Sequence, residues 1–140
     1  MDEPDDDNDS KKHFSLPVFK KAEEILKIVQ TLSEVIDKEK DVLLMGEQML
    51  ANAYVLPVKI VGAESGDLYS IRYDNATLIK LAARELQAQT SLLKEEKLCD
   101  KKYTELLRNE IEEFRILFID WVKGFDKLND IEDEWDIKGL

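Results

Sequence analysis

The residues that could catalyse a reaction or hold a metal are few in this chain. Its 140 residues include one histidine, His13, and one cysteine, Cys99. A di-iron site in a four-helix bundle requires Glu-x-x-His on two helices and two further carboxylates. Glu47 and Glu85 could face inward, but a single histidine cannot complete that ligand set, so we expect no metal site.

The sequence does not indicate a catalytic nucleophile or a phosphate-binding loop. Cys99 lies between Leu98 and Asp100, and no histidine is placed to lower the pKa of its thiol. Gly62 and Gly66 are soon followed by acidic residues, which would repel a phosphate group. We therefore expect no catalytic residues, no cofactor and a protein that is not an enzyme.

Three polar residues, Asn75, Glu85 and Gln89, lie on or beside an apolar stripe in the third predicted helix. They could form a polar cluster that recognises a ligand. Alternatively, they could form a buried hydrogen-bonded set that fixes helix register or lies at a subunit interface. We favour the structural interpretation, because fixing register is the best-attested role for such groups.

Basic residues also fall along the third helix. Arg72, Lys80 and Arg84 lie within it, and Lys94 follows, so that the four could form a modest positive strip. Nucleic-acid affinity depends on clustered Lys and Arg, and this chain has no dense cluster. Nucleic-acid binding by this strip is therefore the second hypothesis rather than the first.

The elements that would position these residues are four amphipathic helices joined by short links. Apolar residues recur at spacings of three and four, which indicates helices packed along bundle seams. Ser15 is the predicted N-cap of the first helix, with Pro17 in its first turn. The pattern predicts an all-α, antiparallel up-down four-helix bundle. The predicted helical segments are approximately 15–36, 41–61, 70–93 and 100–125. Each carries one apolar stripe. In chain order, the stripes are Val18, Ala22, Ile25, Val29, Leu32 and Ile36 in the first segment; Leu43, Leu44, Leu50, Ala53, Tyr54, Pro57, Ile60 and Val61 in the second; Ile71, Leu78, Ala82, Leu86 and Leu93 in the third; and Tyr103, Leu107, Ile111, Phe114, Phe118, Trp121 and Phe125 in the fourth.

The fourth helix is apolar over more of its circumference than one seam requires. Leu106, Leu117, Ile119 and Val122 widen its apolar face. Such a helix is either central or faces another subunit. The sequence therefore predicts a self-associating chain, and the candidate interface residues are Phe114, Phe118, Trp121 and Phe125.

The second helix contains a proline. Apolar spacing continues across Pro57 without a change of phase, and no other segment could pair with it as a strand. A helix can accommodate an internal proline by bending. We therefore predict a kinked helix that ends at Gly62, followed by a crossing loop over 62–66.

Charge separates the ends of the chain from its body. The net charge is −11, of which residues 1–12 and 125–140 each contribute −4. We expect a disordered acidic tail over 1–13, the bundle over 14–125 and an acidic tail over 126–140. Trp135 is too large and apolar for a free tail, so the segment around it could be a docking peptide for a basic groove or could fold back on the bundle. No run is apolar enough to span a membrane, and the start does not resemble a signal peptide. The single thiol fits a reducing compartment. We therefore expect a soluble cytoplasmic protein.

Three stretches resemble the 23S rRNA intervening-sequence protein family. Leu-Pro-x-x-Ile-Val at 56–61, followed shortly by Glu64, is similar to the end of that family's second helix. The stretches at 82–89 (AARELQAQ) and 113–117 (EFRIL) are similar to segments of its third and fourth helices. The chain departs from the family pattern at Lys59 and at 62–64, where the family has Asn and a Glu-Gly pair.

The resemblance, which spans about 14–124, implies a four-helix bundle that often assembles into a ring-shaped homopentamer and has no enzymatic activity. A related branch, the accessory variability determinant of diversity-generating retroelements, binds a reverse transcriptase and nucleic acid through a basic surface. We therefore expect a non-enzymatic binding or scaffolding module. The alternative is an accessory factor of a retroelement reverse transcriptase, or an RNA-binding protein, that uses the helix-three strip.

Overall fold

The computed structural model describes residues 12–140, and this part of the chain contains four α-helices and no strand. After a short 3-10 turn, Lys12–Ser15, the helices are α1 (Pro17–Val35), α2 (Met45–Glu64), α3 (Tyr69–Glu95) and α4 (Lys101–Lys123). Each helix packs against two others, in the cyclic order α1, α2, α3, α4. The predicted all-α four-helix bundle is confirmed.

The N-terminal boundary of the bundle differs from the prediction. The predicted disorder of 1–11 lies outside the described residues, whereas Lys12 and His13 belong to the 3-10 turn. Ser15 does not cap α1: Leu16 occupies the N-cap position, and the Ser15 hydroxyl donates to the Lys12 carbonyl oxygen at 2.9 Å. Pro17 occupies the first turn as predicted, and the whole predicted stripe of α1 is buried.

The start of α2 was predicted four residues too early. The Asp41 carboxylate accepts hydrogen bonds from the backbone N–H groups of Met45 (2.7 Å) and Gly46 (3.1 Å), so it caps the helix from outside. Leu44 adopts a left-handed φ of 56° between them. This turn leaves Leu43 and Leu44 exposed, which corrects their assignment to the core.

Helix α2 continues through Pro57 and does not end at Gly62, as predicted, but at Glu64. A Cβ atom at Gly62 would lie 2.8 Å from Asn75 Oδ1 in α3. Gly62 is therefore a site of close approach between two helices rather than a helix terminator. The bend at Pro57 stays a prediction.

The buried stripe of α3 differs from the predicted one in its first half. Ala82, Leu86 and Leu93 are buried as predicted, whereas Ile71 and Leu78 are exposed. Ala76 and Ile79 are buried in place of those two residues. Both sets have helical spacing, and contacts with α2 and α4 determine which one faces the core.

Backbone hydrogen bonds between the segments that flank the helices show which helix ends lie close together. The backbone N–H of Asp37, after α1, donates to the Leu98 carbonyl oxygen, before α4, at 2.9 Å. The Tyr69 N–H, at the start of α3, donates to the Asn129 carbonyl oxygen, after α4, at 2.8 Å. Such contacts are expected when consecutive helices alternate in direction, and the antiparallel order stays our interpretation of the topology. No helix among residues 12–140 is long and apolar enough to cross a membrane.

Candidate docking groove

An apolar groove of about 230 Å³ lies on the surface between α3 and α4. Its floor is formed by side chains that also belong to the hydrophobic core, and Ala83 and Ile119 line it beside them. The floor residues are Ile79, Ile111, Phe114 and Phe118. A concave surface with an apolar lining is the usual form of a site that binds an apolar group.

The local sequence explains why space remains between these two helices. Ala83 has only a methyl side chain where α3 faces α4, so it does not fill the gap. Ile119 lies outside the core stripe of α4 and keeps 44 % of its surface exposed. Ile119 is one of the residues that widen the apolar face of α4 in the sequence, and in the structure it lines the groove.

Three basic residues surround the groove. Lys80 and Arg84 belong to α3 and Arg115 to α4, and all three are exposed. Lys80 and Arg84 form no ion pair with residues 12–140. Arg115 pairs with Glu112, and this contact raises the pKa of the guanidinium and lowers that of the carboxyl group. The rim therefore carries net positive charge above an apolar floor.

The four residues of the predicted basic strip do not lie together in the structure. Lys80 and Arg84 share the groove rim, whereas Lys94 is exposed in the last turn of α3 and does not line the groove. Arg72 is largely covered, because it forms an ion pair with Glu64 and its guanidinium carbon lies 4.1 Å from the centroid of the Phe125 ring. Two of the four predicted residues thus lie together at one surface feature.

The aromatic residues predicted at an oligomer interface lie mainly inside the subunit. Phe114, Phe118 and Phe125 are buried, and Trp121 is half-buried and donates its indole N–H to Glu64 at 2.9 Å. A ring already covered by its own chain has little surface left for another chain. Phe114 and Phe118 could contact a partner only through the floor of the groove, and self-association stays a prediction.

The three polar residues noted on α3 do not form a cluster. Glu85 is exposed, and Asn75 donates to the Ile71 carbonyl oxygen beside Gly62. Gln89 is buried and accepts a hydrogen bond from Asn52 of α2 at 3.2 Å. A single amide pair between two helices is consistent with a role in register, and no ligand-binding cluster is formed by these side chains.

The residues considered for catalysis and metal binding are also separated. Burial, with a smaller effect of Asp100, raises the pKa of the Cys99 thiol, which disfavours the reactive thiolate. Within the described part of the chain, no group of three His, Cys, Asp or Glu side chains is placed to hold a metal ion.

The segment after α4 folds back onto the start of α3. Asp130 accepts hydrogen bonds from the hydroxyl and the backbone N–H of Ser70, so it caps a helix that has no side-chain cap of its own. The Ser70 hydroxyl is the main cause of the lowered pKa of this carboxyl group. The ammonium group of Lys138 lies 4.8 Å from the centroid of the Tyr73 ring. Folding back on the bundle was one of the two alternatives left open for this segment. Its contact on α3 could not be identified from the sequence, because Ser70 and Asp130 are 60 residues apart.

Exposed apolar side chains also occur outside the groove. They include Val58 on α2 and Ile71, Leu78 and Leu81 on α3.

Comparisons of the chain with protein-family models, with curated proteins and with solved structures found no match.

Proposed function

We propose that this chain is a non-enzymatic helical-bundle module that binds other protein chains, including copies of itself, at the groove between α3 and α4. The apolar floor beside the exposed Ile119 is the observation that carries the proposal. Burial of apolar surface is the main favourable contribution to protein association. A groove of this kind offers such surface without any rearrangement of the core.

Two sequence features support the same proposal. The resemblance to the 23S rRNA intervening-sequence protein family favours a homo-oligomer, and a pentamer is the assembly that it implies. The single cysteine and the acidic composition favour a cytoplasmic location, where thiols stay reduced.

Light scattering of the full chain across ~10–300 µM tests the proposal, because this range reports dissociation constants in the micromolar region. We expect the mass to rise above that of one chain with concentration. Ile119→Glu places a charge in the groove and should weaken association at least about tenfold.

Ile116→Glu is the matched control for this substitution. Ile116 is on the same helix, is 57 % exposed and does not line the groove. It should therefore leave association unchanged. The proposal is contradicted if the unaltered chain stays monomeric throughout the range. It is also contradicted if Ile119→Glu associates as well as the unaltered chain.

The alternative function is RNA binding at the rim of the same groove. It is favoured by Lys80 and Arg84, which are exposed and form no ion pair within residues 12–140. Fluorescence anisotropy with a labelled structured RNA at ~0.15 M salt tests it. Salt-sensitive micromolar binding that is lost in a Lys80→Glu, Arg84→Glu double variant would favour this alternative over a protein-binding groove.

A further inference from the structure

We infer that the C-terminal segment of one copy, residues 131–140, docks into the α3–α4 groove of a second copy. The inference rests on the proposed function, in which the groove binds protein chains, and it names the occupant of the groove. Three features of the described residues support it: the exposure of the segment, the way in which its own subunit holds it, and its charge.

The segment presents apolar side chains to solvent. Trp135 is 88 % exposed, Ile131 is 65 % exposed and Ile137 is 75 % exposed. Tryptophan is highly buried on average in folded proteins, and it is enriched among the residues that dominate binding energy at interfaces. Three large apolar residues within seven positions therefore form a candidate binding peptide.

The subunit's own contacts hold this segment away from its own groove. Asp130 is bound to Ser70, and Lys138 lies over the ring of Tyr73. Both attachment points are in the first two turns of α3, whereas the groove begins at Ile79. Trp135 lies between the two attachments and faces solvent, so another molecule can reach it.

The charges of the segment and the groove are complementary. Four acidic residues surround Trp135 in sequence, at positions 132, 133, 134 and 136. Lys80 and Arg84 stand at the rim of the groove without an ion-pair partner among residues 12–140. An apolar side chain flanked by carboxylates thus matches an apolar floor flanked by cations, and such complementarity favours the correct register of binding.

This docking would join copies head to tail. Each copy supplies one segment and one groove, and docking in one direction, without a reciprocal exchange of segments between two copies, makes the interface heterologous. Interfaces of this class form closed rings if the rotation between copies closes, and open chains if it does not. The inference therefore predicts that one copy can be a donor and another an acceptor.

Trp135→Ala in the full chain is the first test, measured by sedimentation equilibrium. Removal of a central aromatic anchor should weaken self-association at least about tenfold. Leu128→Ala is the matched control, because Leu128 is 95 % exposed but precedes the attachment at Asp130. It should leave self-association unchanged.

Mixing the two defective chains is the second and more specific test. Ile119→Glu impairs the groove but keeps the segment, and Trp135→Ala impairs the segment but keeps the groove. Each should be mainly monomeric alone, whereas an equimolar mixture should form a heterodimer with twice the mass of one chain. An interface between identical surfaces would give no such recovery.

The outcomes separate this inference from the proposed function. If Ile119→Glu abolishes association but Trp135→Ala does not, the groove binds some other part of the chain and the inference is overturned. If both variants abolish association but their mixture stays monomeric, the inference is overturned as well. If association persists in Ile119→Glu, or the unaltered chain stays monomeric, the proposed function itself fails.

Discussion

Glu64 connects three parts of the chain near one end of the bundle. Its carboxylate, at the end of α2, pairs with Arg72 of α3 and accepts the indole N–H of Trp121 of α4 at 2.9 Å. Arg72 in turn covers the ring of Phe125. The Glu64 and Arg72 side chains are 19 % and 18 % exposed, so water screens this pair less than a surface pair.

Glu64→Gln keeps an acceptor for the indole but leaves the Arg72 cation without its counter-charge. We expect a loss of about 2 kcal/mol in the free energy of unfolding, measured by urea denaturation, as is typical for hydrogen bonds to charged groups. Glu112→Gln is the control, because Glu112 and Arg115 form an exposed ion pair, and it should cause no measurable change. Equal effects of the two substitutions would contradict the special role of Glu64.

Asp130 makes the attachment of the C-terminal segment dependent on pH. Its pKa is lowered from 3.8 in the folded chain, mainly by the hydrogen bond from the Ser70 hydroxyl. A lowered pKa means that the contribution to stability is present above 3.8 and is lost as the pH falls through the lowered value. The Ser70 amide resonance should therefore shift with this titration.

Asp130→Asn removes the titrating charge and weakens the cap. We expect the pH-dependent shift of the Ser70 amide to disappear, as measured by NMR across the acidic range. A Ser70 shift that persists in Asp130→Asn would assign the titration to another group.

At the scale of elements, the apolar spacing predicted the four helices and every buried residue of α1 except Phe19. The spacing gave wrong helix ends where contacts with other parts of the chain determine them. Gly62 was predicted to end α2, but the helix continues past it and Asn75 occupies the space that a side chain would need. The N-terminus of α2 likewise depends on Asp41, which caps it from a turn outside the helix.

Gly62→Ala tests the close approach of α2 and α3. Alanine is favoured over glycine in a helix by about 1 kcal/mol. With Asn75 present this gain should be smaller, because the new Cβ atom would lie 2.8 Å from Asn75 Oδ1 and the Asn75 side chain must move. In an Asn75→Ala background we expect the full gain. Thermal denaturation of the unaltered chain, the two single variants and the double variant measures it. Identical effects of Gly62→Ala in both backgrounds would show that the contact has no energetic cost.

At the scale of the whole molecule, acidic and basic residues are separated. The acidic excess is concentrated in the terminal segments, whereas exposed basic residues stand beside the apolar groove. Charges at the edge of an interface affect mainly the rate of association and its dependence on salt. This separation therefore makes the head-to-tail interface testable by ionic strength.

Arg84→Glu should weaken self-association at least about threefold at ~0.05 M salt, and by less at ~0.5 M, because salt screens exposed charges. Lys94→Glu is the matched control, since Lys94 is exposed on the same helix outside the groove, and it should have a smaller effect. Association that strengthens with salt in the unaltered chain would show that apolar contacts alone hold the copies together.

The sequence by itself determined the fold class, the four helices and most of the core, because helical periodicity is a local property that nearby residues encode. It also indicated the wide apolar face of α4 that includes Ile119. Only the tertiary structure decided which of two apolar stripes on α3 is buried, that Arg72 pairs with Glu64, and that Asp130 caps α3 from the C-terminal segment. It also decided that Lys80, Arg84 and Arg115 share one groove. These features join residues far apart in sequence, and the pattern of a single helix contains no information about the neighbour against which it will pack.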